Sequence, residues 1–194
     1  MKKTITTVVV AVLVVSLVCG AFYLVKRRFS PSAQNAANLT QIQKINTRNL
    51  TDNYPASPRE VIKFYNKVIG CYYGDDYTDD EIQKLTAQAW LLFDPQLQEQ
   101  NPPDSYLAQV LEDVQLYKDK KKEILQLNVC ATSEVRYITD KATGDELAYV
   151  KASYFTKENK DYNNTYQMYV LRKDTSDKWK ILVYYPVQGD TEEE

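Results

Sequence analysis

After Lys122 the spacing of hydrophobic residues changes from a helical period to alternation, and this change limits the fold more than any other feature of the chain. The alternation predicts four strands, at about residues 124–139, 147–156, 164–172 and 178–187. The connections between these segments are short, and short connections are typical of an antiparallel meander.

Pairing the four segments brings their hydrophobic residues onto one face. The proposed register has three cross-strand pairs, which are Val135 with Val150, Ala152 with Met168, and Val170 with Ile181. Cross-strand partners share a face, so one face collects a large apolar set. Its members are Leu125, Leu127, Val129, Ala131, Val135, Tyr137, Ala148, Val150, Ala152, Tyr154, Tyr166, Met168, Val170, Trp179, Ile181, Val183 and Tyr185. Four separate alternations agree on this face, and we therefore expect it to be buried.

The part of the domain before Lys122 has the period of helices. Ser57 with Glu60, and Thr78 with Glu81, have the spacing of capping boxes, and NPPD at residues 101–104 is typical of a third helix start. Apolar residues at helical spacing follow each start, so three helices should cover the buried face of the sheet. The predicted fold class is therefore α+β, with three N-terminal helices packed on a four-stranded antiparallel sheet.

An uncharged run of 22 residues, from Thr4 to Val25, precedes the domain. As a helix it would be about 33 Å long, enough for a hydrocarbon core of about 30 Å. Cleaved signal peptides usually have a shorter apolar run, so we expect an uncleaved signal anchor and a single-pass protein of the cell membrane. The short basic N-terminal tail favours a C-terminal domain outside the cytoplasm. The predicted divisions are the tail at 1–3, the anchor at 4–25, a linker at 26–56, the domain at 57–188 and an acidic tail at 189–194.

The composition excludes several classes of function. The chain has no His, so Ser–His and Cys–His nucleophiles and His metal sites cannot exist. Its net charge of -2 is unlike that of a duplex-binding protein, so we expect no nucleic-acid partner. The acidic cluster at residues 75–81 lacks the spacing of a calcium loop, and a helix N-terminus accounts for it. We therefore predict no catalytic residue, no metal, no cofactor and no enzymatic activity.

The order of elements resembles the nuclear transport factor 2-like (cystatin-like) superfamily over residues 57–187. The closing hairpin of that superfamily is similar to YVLRKD at 169–174 followed by WKI at 179–181. More narrowly, the apolar N-terminus before PREV at 58–61 looks like an uncharacterised membrane-anchored family of Gram-positive anaerobes. The resemblance implies a curved, cone-like sheet, and it supplies no function because the superfamily hosts enzymes, binding domains and scaffolds. Its enzymes often use an Asp–His pair, which this chain cannot form.

Two sets of aromatic and apolar residues are candidate sites. Those that could line a cone-shaped pocket are Tyr72, Trp90, Tyr137, Tyr154, Tyr166 and Trp179. Those that would form an apolar outer sheet face are Tyr149, Phe155, Tyr169, Leu171, Leu182 and Tyr184. Aromatic residues also form ordinary core, whereas a contiguous exposed apolar face often marks a protein contact. Cys71 and Cys130 are either a disulfide of an exported domain or two small apolar side chains.

The outer sheet face favours an interaction module as the first hypothesis. The membrane-tethered domain would bind a protein partner, or itself, through that face. One alternative is a sensor or carrier that holds a small molecule inside the cone. Another is a scaffold subunit of an envelope assembly similar to those of conjugation or secretion, which resemble this layout of short tail, single helix and cone-like domain.

Overall fold

The structure is a computed structural model that describes residues 39–74 and 76–189. In these residues five α-helices precede five β-strands. The helices are α1 (Gln41–Asn46), α2 (Pro58–Gly74), α3 (Asp79–Trp90), α4 (Pro95–Gln100) and α5 (Pro103–Asp119). The strands are β1 (Lys122–Val129), β2 (Arg136–Thr139), β3 (Glu146–Glu158), β4 (Asp161–Lys173) and β5 (Trp179–Val187). The domain is therefore α+β, as the sequence predicts, but the expected number of three helices is wrong, because the short helices α1 and α4 are also present.

The strands form one open antiparallel sheet whose central pair is β3 and β4. β5 pairs with β4 at one edge, whereas β1 and β2 pair with successive parts of β3 at the other edge. The predicted first strand is two strands, because a 3-10 turn at Thr132–Glu134 separates β1 from β2. The antiparallel sheet is confirmed, and the expected number of four strands is wrong.

Alternate residues of β3 define the inner face of the sheet, which the helices cover. Ala148, Val150 and Ala152 are at most 1% exposed, and Tyr154 and Thr156 are also buried. α2 contacts β1, β3 and β5, while α4 contacts β5 and α5 contacts β1. α3 packs on α1, α2 and α5. The core thus lies mainly between α2 and the inner face.

The first predicted strand pairing has the correct register for β2, where Arg136 lies opposite Tyr149. It is wrong for β1, which pairs four residues away from that register, with Val129 opposite Ala152. The second predicted pairing is shifted by one residue. Asn159 has a φ of 56°, a left-handed conformation that Asn tolerates, and it allows a two-residue turn between Glu158 and Asp161. The turn places Val150 opposite Tyr169. Because a shift of one residue moves a side chain to the other face, Tyr169 joins the inner face and is 1% exposed.

The hairpin between β4 and β5 is also shifted by one residue. The Asp174 carboxylate accepts two backbone N–H groups of the turn, at 2.8 and 2.9 Å, and Asp177 has a φ of 59°. Leu171 consequently lies opposite Ile181, and both are 0% exposed. Leu182 is the extra residue of a β-bulge. Because of this bulge, Tyr184, two residues after Leu182, points to the inner face opposite Tyr169.

These shifts correct the predicted faces of β4 and β5. Tyr166, Met168 and Val170, which were expected to point inward, lie on the opposite, outer face of the sheet. Val183 and Tyr185 also lie there and are 43% and 41% exposed. The outer face is therefore apolar, as predicted, but a different set of side chains forms it.

A bulge in β1 causes a similar correction. Leu125 is the extra residue and is 47% exposed, whereas Leu127 and Val129 pack against the core as predicted. Ala131, which precedes the 3-10 turn, is exposed, and so is Tyr137 in the short strand β2. The predicted inward orientation is therefore correct only for part of this region.

The folded domain begins earlier than the predicted boundary at residue 57. Ile42 and Ile45 of α1 are 3% and 2% exposed, and Leu50 is 5% exposed. These residues belong to the same hydrophobic core as α2 and α3. The second part of the predicted linker is thus structural.

The predicted anchor at 4–25, the tail at 1–3 and residues 190–194 of the predicted acidic tail lie outside the described residues. Among the helices that the structure describes, none is both long enough and apolar enough to span a membrane.

Candidate functional site

A chamber of about 180 Å³ lies between α2, α5 and the strands β4 and β5. Aromatic and polar side chains form most of its wall. The lining residues are Tyr65, Ile69, Tyr72, Tyr73, Asn101, Tyr106, Gln109, Val110, Asp113, Gln167, Tyr169 and Tyr184. The name tyrosine chamber is used below for this cavity.

Helical and strand periodicity explains why these side chains converge. Tyr65, Ile69 and Tyr72 lie four and three residues apart and form one stripe of α2. Residues 106, 109, 110 and 113 form the equivalent stripe of α5. Gln167 and Tyr169 are alternate residues of β4 and therefore point to the same, inner face.

Most rings in and behind the chamber wall stand at large angles to their neighbours. Tyr65 and Tyr169 have ring centroids 5.9 Å apart and an interplanar angle of 76°. Tyr65 contacts Phe93 at 5.9 Å, and Phe93 contacts Tyr106 at 5.2 Å, both edge to face. Tyr184 lies 5.6 Å from Tyr169 at a smaller angle of 36°. The edge-to-face contacts stabilise the wall and fix the ring positions.

A short chain of polar groups lies behind the wall. The Tyr154 hydroxyl is 3.0 Å from Asn66 Oδ1 and 2.5 Å from the Tyr169 hydroxyl, which is 2.8 Å from Gln167 Oε1. The two hydroxyl groups have two protons for these three contacts. When Tyr169 donates to Tyr154, Gln167 Oε1 receives no proton from the pair, and when the direction reverses the same is true of Asn66 Oδ1. Rotation of the Asn66 amide by half a turn would let Nδ2 donate to Tyr154, Tyr154 donate to Tyr169 and Tyr169 donate to Gln167 Oε1, so the chain can be fully paired.

Two buried polar atoms close to the chamber have no hydrogen-bond partner among the described residues. They are Nδ2 of Asn66, which an amide rotation would pair with Tyr154, and the hydroxyl of Tyr72, which lines the chamber. The Tyr106 hydroxyl interacts with that of Tyr72 and opposes the rise of its pKa, although the pair falls short of a full hydrogen bond. Tyr72 is only 3% exposed, so water does not compensate for the missing bond in the way that it does at a surface. Each such group destabilises the fold unless a further molecule pairs with it.

Burial governs the ionisation of the chamber. It is the main cause that raises the pKa of four chamber tyrosines well above the ordinary value, namely Tyr65, Tyr72, Tyr106 and Tyr169. Their hydroxyls are consequently neutral near pH 7. Asp113 is the only charged residue among the described lining residues. Burial raises the pKa of Tyr73, and the field of the Asp113 carboxylate raises it further.

Residues 1–184 match a family described as "Domain of unknown function (DUF6715)". The chain belongs to this family. The match includes the apolar run from Thr4 to Val25 and ends within β5. No curated protein matches the chain. The description of DUF6715 carries no activity, so the role of the tyrosine chamber has to come from its geometry.

The pocket residues predicted from the sequence are only partly brought together in this DUF6715 domain. Tyr72 lines the chamber, and Tyr154 reaches its wall through Tyr169. Trp90 lies in a groove between α3 and α5, where its ring N–H donates to the Asn101 carbonyl at 2.9 Å. The prediction that Trp90 lines the pocket is therefore wrong, because α3, which carries Trp90, packs on other helices.

The remaining three predicted pocket residues lie elsewhere. Tyr137 and Trp179 contact each other at 5.7 Å beside a shallow depression near β2. Tyr166 lies on the outer face, because of the register of β4, with Lys151 Nζ 5.8 Å from its ring. A single aromatic pocket formed by all six predicted residues is therefore wrong.

The predicted partner face is also divided. Three of its six residues lie on the inner side, which are Tyr169, Leu171 and Tyr184. The others are Tyr149 and Phe155 on the outer face, and Leu182 in the bulge. The shifted hairpins cause this division, since each moves alternate side chains to the opposite face.

Sequence reasoning missed five side chains that define the chamber. They are Tyr65, Tyr106, Asp113, Gln167 and Tyr184. The stripe on α2 and the stripe on α5 both carry tyrosines at helical spacing, and this signal is visible in the sequence. The contribution of β4 and β5 depends on the register and could not have been read from alternation alone.

A second cavity in the DUF6715 domain is larger but has fewer features of a binding site. It is a groove of about 410 Å³ between α3 and α5, with Trp90, Leu91 and Leu107 in its wall. Its Thr86 hydroxyl is paired with helix carbonyls at 2.8 and 3.1 Å. The groove therefore presents mainly apolar surface and groups that already have partners.

A buried ion pair holds the side of the domain near α4. Asp94 accepts two hydrogen bonds from Arg172, at 2.6 and 3.0 Å, and its own side chain is 3% exposed. Arg172 also contacts Asp145 at 3.3 Å. The Asp94 carboxylate caps α4 by accepting the Gln96 N–H at 3.0 Å. The interaction is structural, because all of its groups are paired with one another.

The cysteines and the acidic cluster provide no assembled site. Cys71 and Cys130 are both thiols in the structure, and burial raises the pKa of Cys130. Asp79 and Asp80 lie in the first turn of α3, where Thr78 forms the predicted capping box. Within residues 39–74 and 76–189, no group of three or more carboxylate or cysteine side chains is placed to hold a metal ion.

Proposed function

We propose that the domain binds a small polar molecule in the tyrosine chamber, as the sensor or carrier part of a membrane-anchored protein outside the cytoplasm. The observation that carries this proposal is the Tyr72 hydroxyl, which lacks a full hydrogen bond and is buried in the wall of a partly open cavity. A ligand that forms a hydrogen bond with this hydroxyl would offset the free-energy cost of burying it, and the ligand would also fill the cavity.

The volume of the chamber limits the size of its ligand. A cavity of about 150 Å³ accommodates benzene in another protein, and a water molecule occupies about 30 Å³ in the liquid. The chamber, at about 180 Å³, should therefore hold a molecule slightly larger than benzene. The role that we propose is binding rather than catalysis, because a neutral phenol is a poor base near pH 7.

The proposed binding role agrees with a cone-like fold of the nuclear transport factor 2-like type. In such a cone the ligand would lie between the helices and a curved sheet. The bulges at Leu125 and Leu182 support curvature, because a bulge bends its strand and increases the local twist. The tyrosine chamber lies on the inner face of this sheet.

Blocking the chamber mouth tests the proposed function. Gln109 is an exposed residue of α5 that lines the chamber, and Gln115 is an exposed glutamine of the same helix outside the lining. Small fragments would be screened against the full chain in a non-ionic detergent by ligand-observed NMR. We expect Gln109→Trp to abolish binding of the fragments that the wild type holds, and Gln115→Trp to preserve it. Equal binding by both variants, or no fragment binding by the wild type, would exclude the chamber as a ligand site.

A second candidate function is self-association with another copy of the chain through β5. Residues 182–187 (LVYYPV) form part of an edge strand and carry no charge, so this edge is protected by the bulge at Leu182 and by Pro186 rather than by charged side chains. Val183 and Tyr185 are exposed beside this edge. An antiparallel pairing of two β5 strands would extend the sheet and bury these side chains.

Light scattering over a range of protein concentrations tests this second candidate. We expect Val183→Lys to shift the full chain toward the monomer, because a charge would have to be buried in the paired edge. A wild-type chain that remains monomeric at all concentrations would refute self-association. The scaffold function within an envelope assembly stays a prediction from the sequence.

A further inference from the structure

We propose that the tyrosine chamber selects a small protonated amine, with a compact hydrocarbon body and an ammonium group that donates hydrogen bonds. The inference rests on the small-molecule function proposed above and adds the chemical class of the ligand. Three properties of the wall lead to it, which are its accepting amide oxygen, its single charge and its aromatic rings.

The first property is an amide oxygen in the wall. Gln167 lines the chamber, and its Oε1 accepts the Tyr169 hydroxyl at 2.8 Å, which leaves the second lone pair of this oxygen for a ligand N–H. An ammonium group has only donors, and it matches such an oxygen better than a carbonyl or carboxylate does.

The charge of the wall also favours a protonated amine. Asp113 is the only ionised side chain among the described lining residues, and no Lys or Arg belongs to that set. Asp113 is exposed, so it lies where the chamber meets solvent, yet its field reaches the hydroxyls of Tyr73 and Tyr184. A cation is attracted by this field and an anion is repelled.

The aromatic rings supply the third property. Tyr65 and Tyr169 both line the chamber and meet edge to face, at an interplanar angle of 76°. An aromatic ring carries negative charge on its faces, and boxes of such rings bind ammonium groups by cation–π attraction. The unpartnered Tyr72 hydroxyl can accept a hydrogen bond from the same group.

Three probes of nearly equal shape separate charge from size. Cyclopentylamine is cationic near pH 7, cyclopentanol is neutral and cyclopentanecarboxylate is anionic, and each has a five-membered ring small enough for the chamber. Binding to the full chain in a non-ionic detergent would be measured by calorimetry and by ligand-observed NMR. We expect the amine to bind at least about tenfold more tightly than the alcohol, and the carboxylate to bind most weakly.

A matched pair of charge substitutions places the effect at the chamber. Asp113→Asn removes the chamber charge, whereas Glu112→Gln removes a charge from the adjacent exposed residue that is not part of the lining. We expect Asp113→Asn to weaken amine binding by about three- to tenfold and to leave alcohol binding unchanged. Glu112→Gln should leave both unchanged, and thermal unfolding would confirm that both variants are folded.

The outcomes distinguish this inference from the function on which it rests. If the alcohol or the carboxylate binds as tightly as the amine, or if Asp113→Asn and Glu112→Gln have equal effects, amine selectivity is wrong while the chamber remains a ligand site. If none of the three probes binds, amine selectivity is also wrong. Other fragments that bind the wild type and not the Gln109→Trp variant would still support the chamber as a ligand site. Failure of the fragment screen itself would refute both.

Discussion

Removing the carboxylate of Asp94 should destabilise the domain more than any change to a surface ion pair. Asp94 makes a forked interaction with Arg172, at 2.6 and 3.0 Å, and it also caps α4. Its side chain is 3% exposed and that of Arg172 is 28% exposed. Asp94→Ala would therefore leave a partly exposed guanidinium without its main partner and a helix without its cap.

The structure allows the cost of this substitution to be divided. Breaking a buried ion pair by removing one partner costs about 3–5 kcal/mol, and the lower end applies here because Arg172 retains Asp145 at 3.3 Å. Loss of a side-chain N-cap costs about 1 kcal/mol. We expect Asp94→Ala to lower the free energy of unfolding by about 4 kcal/mol. Asp94→Asn keeps an oxygen at the cap, so it should lower that free energy by about 3 kcal/mol.

An exposed ion pair provides the control. Asp80 and Lys84 are 2.5 Å apart, but their side chains are 70% and 57% exposed, so Asp80→Ala should cost less than about 1 kcal/mol. Urea unfolding of the full chain, followed by tryptophan fluorescence, gives the free energy for each variant. If Asp94→Ala and Asp80→Ala destabilise the domain equally, the Asp94 pair is not the structural link inferred here.

Four substitutions and one pH series test the fold and the chamber in three ways. Val150→Asp and Tyr169→Glu should each unfold the domain, and Lys151→Asp should be mild, because only the first two bury a charge on the inner face; equal melting temperatures would refute the assigned faces. The buried tyrosines have pKa values above their unfolded value near 10, so stability should be complete below about pH 10 and decline as pH rises further. Urea midpoints that already fall between pH 7 and 9 would contradict this. Tyr72→Phe should leave the unfolding free energy unchanged or raise it, while it weakens binding of the ligand; a large loss of stability would show that its hydroxyl has a partner.

The sequence was sufficient for the parts of the fold that depend on local rules. The capping box of Thr78 and Glu81 begins α3 as predicted, and alternation correctly identified the inner residues of β3. The register of the first hairpin was also correct, with Arg136 opposite Tyr149. In each case a nearby side chain or a uniform period determines the structure, and no distant contact has to be known.

The faces of β4 and β5 could not be predicted because two turns decide them. Asn159 and Asp177 adopt positive φ angles, and each turn moves its strand by one residue from the register that hydrophobic matching suggests. β4 contains a hydrophobic residue on both faces, since Val170 and Leu171 are adjacent and both buried. A strand of this kind satisfies either register, so its apolar pattern cannot distinguish them.

The tyrosine chamber departs from what stability alone would select. A core of Leu or Phe at these positions would avoid burying the Tyr72 hydroxyl without a full hydrogen bond. The same domain pairs its buried Asp94 fully, so the fold can satisfy buried polar groups where they serve structure. Buried atoms without a partner also occur on Asn46 and Gln88, outside the chamber, so an unsatisfied group is not by itself a site. At Tyr72 such a group lies among aromatic rings that line a cavity, and this combination is the physical reason to look for function in the chamber rather than on the outer face.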